Sequence, residues 1–317
     1  MSDKPRWWKA GTVYSEVKKC IDDMFFLRPT PELRNIVGAC AGRAQALYPV
    51  KIYWLDPNVN HLHRGREPYE GMEENMSMFD QCFFRNLTFA VNHMLDRKSC
   101  GTIWAGRNRA DECYDDKSAE QQLLYGATNM VKDGLLDRAA HNKGFGTYHA
   151  IASGDMYERF EYIDWTAWHK AGGKRCKRPL SDFKRTTTVQ YSKIPEWSHL
   201  TDSQYATRFR KEVRALEKKF REEREEKGQK VAGPKKLAKL DPRGRPKHRK
   251  PRTRQPLCHA STPEGAEEFK KGWKTFLDER AKASQRFLQG DLYVEFPKGS
   301  FRPPLITMRH FKPPPGT

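Results

Sequence analysis

The stretch YPVKIYWLDPNVNHLH, residues 48–63, decides how this chain folds. Its first eight residues alternate apolar with other side chains, which is the period of a β-strand over 48–55. The sequence Asp-Pro-Asn at 56–58 is typical of a turn, and it leads into a short segment that ends in two histidines. Side chains two residues apart on a strand leave the same face. The pattern therefore predicts that His61 and His63 lie side by side.

The residues around this stretch predict alternating strands and helices. Apolar residues recur at helical spacing over 31–47, 72–95 and 119–132, and shorter extended patterns cover 11–20 and 103–114. The order is strand, helix, strand, strand, helix, strand, helix. It suits an α+β fold, a ferredoxin-like antiparallel sheet with helices on one face.

The carboxyl-terminal part has a different pattern. Two amphipathic helices flank a basic segment, and we expect them to pair antiparallel as a mainly helical C-terminal extension. The division we predict is a catalytic domain over 1–155, a connector over 156–200, and a basic DNA-binding extension over 201–317 that includes a disordered linker at 228–256.

The charge of the chain points to its class of partner. Among 317 residues, 59 Lys and Arg face 40 Asp and Glu, which gives a formal net charge of +19. Such an excess favours a polyanion, and nucleic acid is the first candidate. A basic surface that is merely solvated is the alternative. No apolar run approaches the roughly 20 residues of a membrane span, and seven cysteines without a C-x-x-C pair suit a reducing cytoplasm. We expect a cytoplasmic, nucleoid-associated protein without a membrane partner.

About half of the net charge lies in the linker. Residues 228–256 hold six Lys and five Arg against one acid, with five prolines, which predicts an extended and disordered segment. The sequence Arg-Gly-Arg-Pro at 243–246 has the form of an AT-hook, whose arginines enter a narrow minor groove. Nonspecific attraction to phosphates is the alternative. The nucleic-acid-binding candidates here are Arg243, Arg245, Lys247, Arg249 and Lys250.

A second candidate element lies on the helix over 119–132. Tyr125 and Asn129 are four residues apart and so share one helix face. A phenol can form a covalent intermediate once it is activated, and two imidazoles with an amide oxygen can hold a divalent cation. Taken singly, each motif has a plain alternative: a core tyrosine, and two surface histidines after a turn.

Taken together, the motifs NHLH at 60–63 and LLYGATN at 123–129 resemble those of the REP-associated tyrosine transposases, relatives of the single-tyrosine HUH transposases of small insertion sequences. The resemblance extends over about residues 11–150 and continues in the carboxyl-terminal half. It implies that Tyr125 is the nucleophile, and that His61, His63 and Asn129 bind the metal.

The resemblance also implies a function. We expect a DNA transposase that cleaves single-stranded, hairpin-containing DNA with Mg²⁺ or Mn²⁺ and rejoins it through a 5′-phosphotyrosine, as a monomer or a homodimer. A domesticated, noncatalytic binder of hairpins or other nucleic acid that keeps the fold is the alternative, and a replication initiator or relaxase is a third. Arg107 and Arg109 are expected to contact phosphates, or else to lie on a solvated basic face. The sequence Arg-Gly-Arg-Glu at 64–67 departs from the family, and we expect the histidine strand to end there.

Overall fold

The amino-terminal half of the chain forms one antiparallel sheet. The computed structural model describes residues 5–97, 101–247 and 257–302. The elements of this half, in chain order, are β1 (Tyr14–Lys19), α1 (Pro31–Leu47), β2 (Lys51–Asn58), β3 (His61–Glu67), α2 (Asn75–Met94), β4 (Arg109–Glu112) and α3 (Asp116–Lys132). The strands lie in the order β2-β3-β1-β4, and every pair is antiparallel. This topology confirms the ferredoxin-like α+β fold.

Local capping signals set where the helices begin. The backbone N–H of Leu33 donates to Thr30 Oγ1 at 3.2 Å, and Pro31 occupies the first turn of α1, where no intrahelical donor is needed. At α3, Asp115 and Ser118 form a reciprocal capping box. The start of the helix that carries the candidate tyrosine is therefore fixed by its own sequence.

The β2–β3 hairpin turns later than the sequence indicates. Residues 56–58 belong to β2, and the reversal falls at 59–60. Pro57 is tolerated within the strand because β2 is an edge of the sheet. Asp56 does not form a turn, because its Oδ1 accepts a hydrogen bond from the backbone N–H of Thr147 at 2.8 Å.

β3 also continues beyond the point where we expected it to end. Arg64 and Arg66 extend the strand, with side chains only 1% exposed. Arg66 Nε donates to Glu16 Oε2 at 2.6 Å, and Arg64 donates to Glu16 Oε1 at 3.1 Å. Asp80 on α2 lies 2.8 Å from Arg66 and completes the buried network. The prediction of a short strand is wrong, because buried carboxylates neutralise the two guanidinium groups.

Helices cover both faces of the histidine strand, whereas we expected them on one face. The crossover helices α1 and α2 pack together over the face that carries Arg64 and Arg66, as the α2 residue Asp80 shows. The helix α3 packs against β2 and β3 on the opposite face, the one that carries His61 and His63. The candidate tyrosine and the candidate metal-binding histidines are thereby on the same side of the sheet.

The connector over 156–200 contains a second sheet. Its elements are β5 (Tyr157–Ile163), α5 (Trp165–Lys170) and β6 (Lys184–Gln190), and α4 (Thr147–Ser153) precedes it. This two-stranded sheet packs on α1 at two glycines. A Cβ at Gly38 would lie 2.5 Å from the Phe160 ring, and one at Gly42 would lie 2.7 Å from Thr187. The glycines of α1 therefore allow the second sheet to approach this helix closely.

The carboxyl-terminal helices do not form the antiparallel pair that we expected. They are α6 (Asp202–Glu226), α7 (Pro234–Ala238) and α8 (Pro263–Leu288). The first packs against α3 and α4, whereas α8 buries Phe269, Trp273 and Phe276 against Trp7. Each long helix finds its apolar partner on the amino-terminal half rather than on the other helix. None of the helices in the described ranges is long and apolar enough to cross a bilayer.

The basic segment differs from the disordered linker that we expected wherever it is described. Over 228–247, Leu237 is 2% exposed and packs with Val59 and Met130, and the N–H of Ala232 donates to the Gly134 carbonyl at 3.0 Å. Leu237, together with the partly buried Leu240, thus anchors a segment whose composition is otherwise polar. Residues 248–256, with Arg249 and Lys250, lie outside the described residues.

Candidate active site

The two histidines of β3 lie side by side as the strand period predicts. The ring centroids of His61 and His63 are 4.8 Å apart, with the rings nearly perpendicular at 82°. His63 is 8% exposed, and within the described part of the chain its buried Nε2 has no hydrogen-bond partner. A buried nitrogen without a partner costs about 1–3 kcal/mol, so a ligand that engaged Nε2 would be favoured.

The ring of His61 is oriented by two polar neighbours. Its Nδ1 lies 2.7 Å from Asn60 Oδ1, and its Nε2 lies 3.2 Å from the Asn129 amide nitrogen. Asn129 is 3% exposed on α3. The contact joins the strand motif to the helix motif, which are 68 residues apart in the sequence.

Tyr125 completes the cluster from one turn earlier on α3. Its ring centroid is 5.2 Å from that of His63, and the two rings are perpendicular at 89°. The Lys132 ammonium lies 4.9 Å from the centroid of the phenol ring. All four residues predicted for catalysis and metal binding therefore converge on one site.

Close packing at Gly126 sets the position of the tyrosine. A Cβ at this residue would lie 2.9 Å from the Trp54 ring and 3.0 Å from Asp56 Oδ2. Only a residue without a side chain lets α3 approach β2 so closely. The tyrosine is held above β3 because the next residue is glycine.

The donors at this site fit a divalent cation. Among the residues that the structure describes, no group of three or more His, Cys, Asp or Glu side chains could hold a metal ion. A metal here would thus need His61, His63 and the Asn129 amide, with oxygens of the substrate completing its coordination. The oxygen and nitrogen of an amide exchange places by a 180° rotation, which would present the Asn129 oxygen. Burial and the neighbouring His61, His259 and Lys19 hold the pKa of His63 well below its usual range, which favours the neutral imidazole that binds metals.

Asp56 lies beside this cluster, although its sequence context did not single it out. It pairs with His63 across the β2–β3 ladder. Burial raises its pKa to about 7, against the hydrogen bonds that it accepts from Thr147. A carboxyl group that holds its proton near neutral pH is thus next to the histidines. In the sequence, Asp-Pro-Asn looks like a turn, so it does not indicate that a carboxyl group lies beside the histidines.

His259 is a second residue that the sequence did not single out. Its backbone extends the sheet beyond β4, since its N–H donates to the Glu112 carbonyl at 2.7 Å and its carbonyl accepts from Tyr114 at 2.7 Å. Its Nε2 lies 3.9 Å from Asp111 Oδ2. Burial and Arg109 lower the pKa of His259 to about 4. Only the three-dimensional fold brings this carboxyl-terminal residue to the sheet.

The predicted DNA-contacting residues lie to either side of the cluster. Arg109 begins β4, where it pairs with Val17, which in turn pairs with His63. Its guanidinium forms an ion pair with Asp111. Arg107 is exposed just before the strand. The structure thus places both arginines two strands away from the histidine pair.

The described part of the basic segment lies near the start of β3. Arg243, Arg245 and Lys247 are exposed, and Arg245 lies 3.2 Å from Asp22. The backbone N–H of Phe25 donates to the Gly244 carbonyl at 3.1 Å. The same loop meets the histidine strand, because Asn60 Nδ2 donates to the Asp23 carbonyl at 3.3 Å. The basic side chains therefore border the turn that leads into the histidine pair.

No protein-family model and no curated protein sequence matches this chain. One solved structure is similar. It is that of a REP-associated tyrosine transposase bound to a REP hairpin, with 16% sequence identity and a TM-score of 0.37. The similarity covers 48% of this chain and 86% of the transposase chain.

Proposed function

We propose that this protein is a transposase that cleaves and rejoins single-stranded DNA, with Tyr125 as its nucleophile. The observation that carries the proposal is the convergence of one phenol, two imidazoles and one amide. The Tyr125 and His63 rings are 5.2 Å apart, and Asn129 lies 3.2 Å from His61. The motif resemblance supports the same set of residues independently of their geometry.

Tyr125 would attack the phosphorus of a phosphodiester. A bond forms between its phenolic oxygen and phosphorus while the bond from phosphorus to the 3′-oxygen breaks, so the products are a 5′-phosphotyrosine and a free 3′-hydroxyl. The phenol loses its proton and the departing 3′-oxygen gains one. Because the phosphotyrosine keeps the energy of the broken ester, a 3′-hydroxyl can attack it and rejoin the strand without an external energy source.

The surrounding residues would prepare this attack. An ordinary phenol has a pKa of about 10 and is a poor nucleophile at neutral pH. The Lys132 ammonium lies 4.9 Å from the centroid of the phenol ring and adds a positive charge beside the site. His61, His63 and Asn129 would hold a divalent cation, which when bound neutralises charge on the phosphate and polarises the phosphorus. Gly126 keeps the phenol within reach of that site.

The basic segment would hold the DNA near this site. Arg243, Arg245 and Lys247 are exposed beside the loop that contacts Asn60, the residue before the histidine pair. Phosphate contacts of this kind position a strand without reading its sequence. We propose a hairpin with an unpaired flank as the substrate, because the motif resemblance implies hairpin-containing single-stranded DNA.

The experiment is a covalent trapping assay. The purified chain is incubated with Mn²⁺ and end-labelled single-stranded hairpin oligonucleotides, and the products are separated on a denaturing gel. We expect a labelled protein band that is lost with Tyr125→Phe and with His61→Ala. Tyr157→Phe is the matched control, because Tyr157 is an exposed tyrosine on β5, away from the cluster.

Two outcomes would contradict the proposal. A band that persists in Tyr125→Phe would mean that another residue is the nucleophile. If no hairpin gives a band although the chain binds DNA, the protein is a noncatalytic nucleic-acid-binding protein that retains the fold.

A further inference from the structure

A cavity of about 250 Å³ lies along β4, away from the tyrosine cluster. Its walls come from three parts of the chain: the amino-terminal residues 5–8, the strand β4 with the residues before it, and the helix α8. The side chains that matter for its chemistry are Arg6, Trp7, Arg107, Asn108, Arg109 and Trp273. The sequence separates these residues widely, so only the fold assembles the cavity.

Cationic side chains line the cavity, and one of them, Arg109, is already paired with Asp111. Three guanidinium groups line it, and Glu112 is the only acid among its described lining residues. That carboxylate already pairs with Lys9 at 2.7 Å. Burial lowers the pKa of Arg6 to about 10, with Arg107 adding to the shift against the attraction of Glu16, so Arg6 stays charged at neutral pH. An anionic group that entered the cavity would relieve the repulsion between Arg6 and Arg107.

The aromatic side of the cavity is firmly packed. Trp7 stacks on Phe276 with ring centroids 4.6 Å apart, and Trp273 stacks on Phe269. The indole N–H of Trp7 donates to the Lys298 carbonyl at 3.1 Å. The polar side is equally fixed, because the Arg6 guanidinium donates to Asn108 Oδ1 at 2.8 Å. The cavity is therefore a preformed site lined by aromatic rings and guanidinium groups, with Trp7 packed against Phe276 and the Lys9 ammonium 4.1 Å from its ring centroid.

We propose that this cavity binds one unpaired nucleotide of the DNA strand that the tyrosine cluster cleaves. The inference rests on the proposed function and adds a second contact to it. Guanidinium groups suit the phosphate and the acceptor edge of a base, and aromatic walls suit its plane. The volume of about 250 Å³ is near the lower limit of roughly 300 Å³ for small-molecule pockets, so the cavity is far too small for a duplex and we propose one nucleotide as its occupant.

The cavity lies at the β4 edge, mainly on the sheet face opposite the tyrosine cluster, because its lining residues Tyr14 and Glu112 pair with each other and Tyr14 pairs with Arg66. Arg109 lies two strands from His63, through Val17. Neighbouring strands are about 4.8 Å apart, so the separation is roughly 10 Å. A strand that passes from the cleavage site around the β4 edge covers more than this distance, so the bound nucleotide would lie several nucleotides from the attacked phosphate.

The test measures DNA binding in the Tyr125→Phe background, without a divalent metal, so that cleavage plays no part. One probe is a fluorescent hairpin with six unpaired nucleotides on one side, and the other is the same hairpin without them. Arg107→Gln is the main variant because its side chain is exposed and its loss should leave the fold intact. Arg85→Gln, an exposed arginine on α2, is the matched control for loss of one positive charge.

We expect Arg107→Gln to weaken binding of the tailed hairpin about five- to tenfold, as for loss of one charge-assisted contact, and of the tail-less hairpin less than twofold. Arg85→Gln should weaken both probes equally and slightly. Equal effects of Arg107→Gln on both probes would overturn the proposal. If Arg107→Gln affects only the tailed hairpin but wild type forms no covalent adduct, the proposed transposase function is wrong and the cavity remains a DNA-binding site.

Discussion

Replacing Glu16 with glutamine tests the buried charge network that lets the histidine strand continue past residue 63. The Glu16 side chain is fully buried and accepts hydrogen bonds from Arg66, Arg64 and, at 2.8 Å, Asn108. Without its charge, only Asp80 faces the two buried guanidinium groups. Removing one partner of a buried ion pair costs about 3–5 kcal/mol. We expect urea unfolding at pH 7 to show a loss of that size.

The same variant should remove part of the acid sensitivity of the protein. Burial alone would raise the pKa of Glu16, but Arg64 and Arg66 outweigh it and hold the pKa well below its usual value. The stabilisation is therefore complete above the unfolded-state pKa of about 4.3 and is lost as the pH falls below it. A shift of this kind contributes about 2–3 kcal/mol. The difference between wild type and Glu16→Gln should accordingly narrow from pH 7 to pH 3.

A surface carboxylate provides the control. Glu222 pairs with Lys218 one turn away on α6, and both are exposed. Such pairs contribute at most about 0.5 kcal/mol, so Glu222→Gln should change stability little at either pH. A cost below about 1 kcal/mol for Glu16→Gln, or the same cost at pH 7 and pH 3, would refute the reasoning.

Three further predictions concern the site and its surroundings. Burial raises the pKa of Asp56 to about 7, so the stability that its protonated form gives is full below about pH 4 and is lost as the pH rises through 7. Thermal melts should show that Asp56→Asn is more stable than wild type by about 2–4 kcal/mol above pH 7. An equal gain at pH 4 would contradict this. Gly126→Ala would push α3 away from Trp54, and we expect a loss of about 1–3 kcal/mol together with slower adduct formation; unchanged adduct kinetics would argue against the role of this packing. Replacing Arg243, Arg245 and Lys247 with glutamine should weaken the salt dependence of binding to single-stranded DNA. The slope of the logarithm of the binding constant against the logarithm of the salt concentration should fall in magnitude by about 2, or roughly 0.7 per phosphate contact. An unchanged slope would exclude these side chains as DNA contacts.

The elements with strong local signals were predictable from the sequence. The helix at 31–47 has a threonine cap, a proline in its first turn and a clear apolar stripe, and the structure has α1 over the same residues. The strand order follows from the alternation of strands and helices. The side-by-side placement of His61 and His63 follows from the two-residue period of a strand.

Features that depend on distant partners were not predictable. Arg64 and Arg66 look like the end of a strand because the sequence does not say that Glu16 lies opposite them. Charged and threonine residues interrupt the apolar pattern of β5 and β6, and the packing of this sheet on α1 depends on Gly38 and Gly42. Leu237 appears too isolated to anchor the basic segment, and only the fold shows the cluster that it joins.

The candidate site also combines features that the sequence predicts with features that only the fold reveals. The residue types and spacing of the two motifs predict its members, but the contact between Asn129 and His61 depends on how α3 crosses the sheet. His259 comes from beyond the basic segment and reaches the sheet by backbone pairing next to Cys113. No periodicity in the sequence could have indicated that pairing.

The central claim is that the Tyr125 phenol becomes joined to DNA. After incubation with Mn²⁺ and a single-stranded hairpin, the adduct is digested with nuclease and trypsin and examined by mass spectrometry. Cleavage after Lys117 and Lys132 releases Tyr125 in the peptide over 118–132, in which it is the only tyrosine. The account predicts a nucleotide 5′-phosphate on Tyr125 in this peptide, and its absence in His61→Ala. An unmodified 118–132 peptide alongside a modification elsewhere would contradict it.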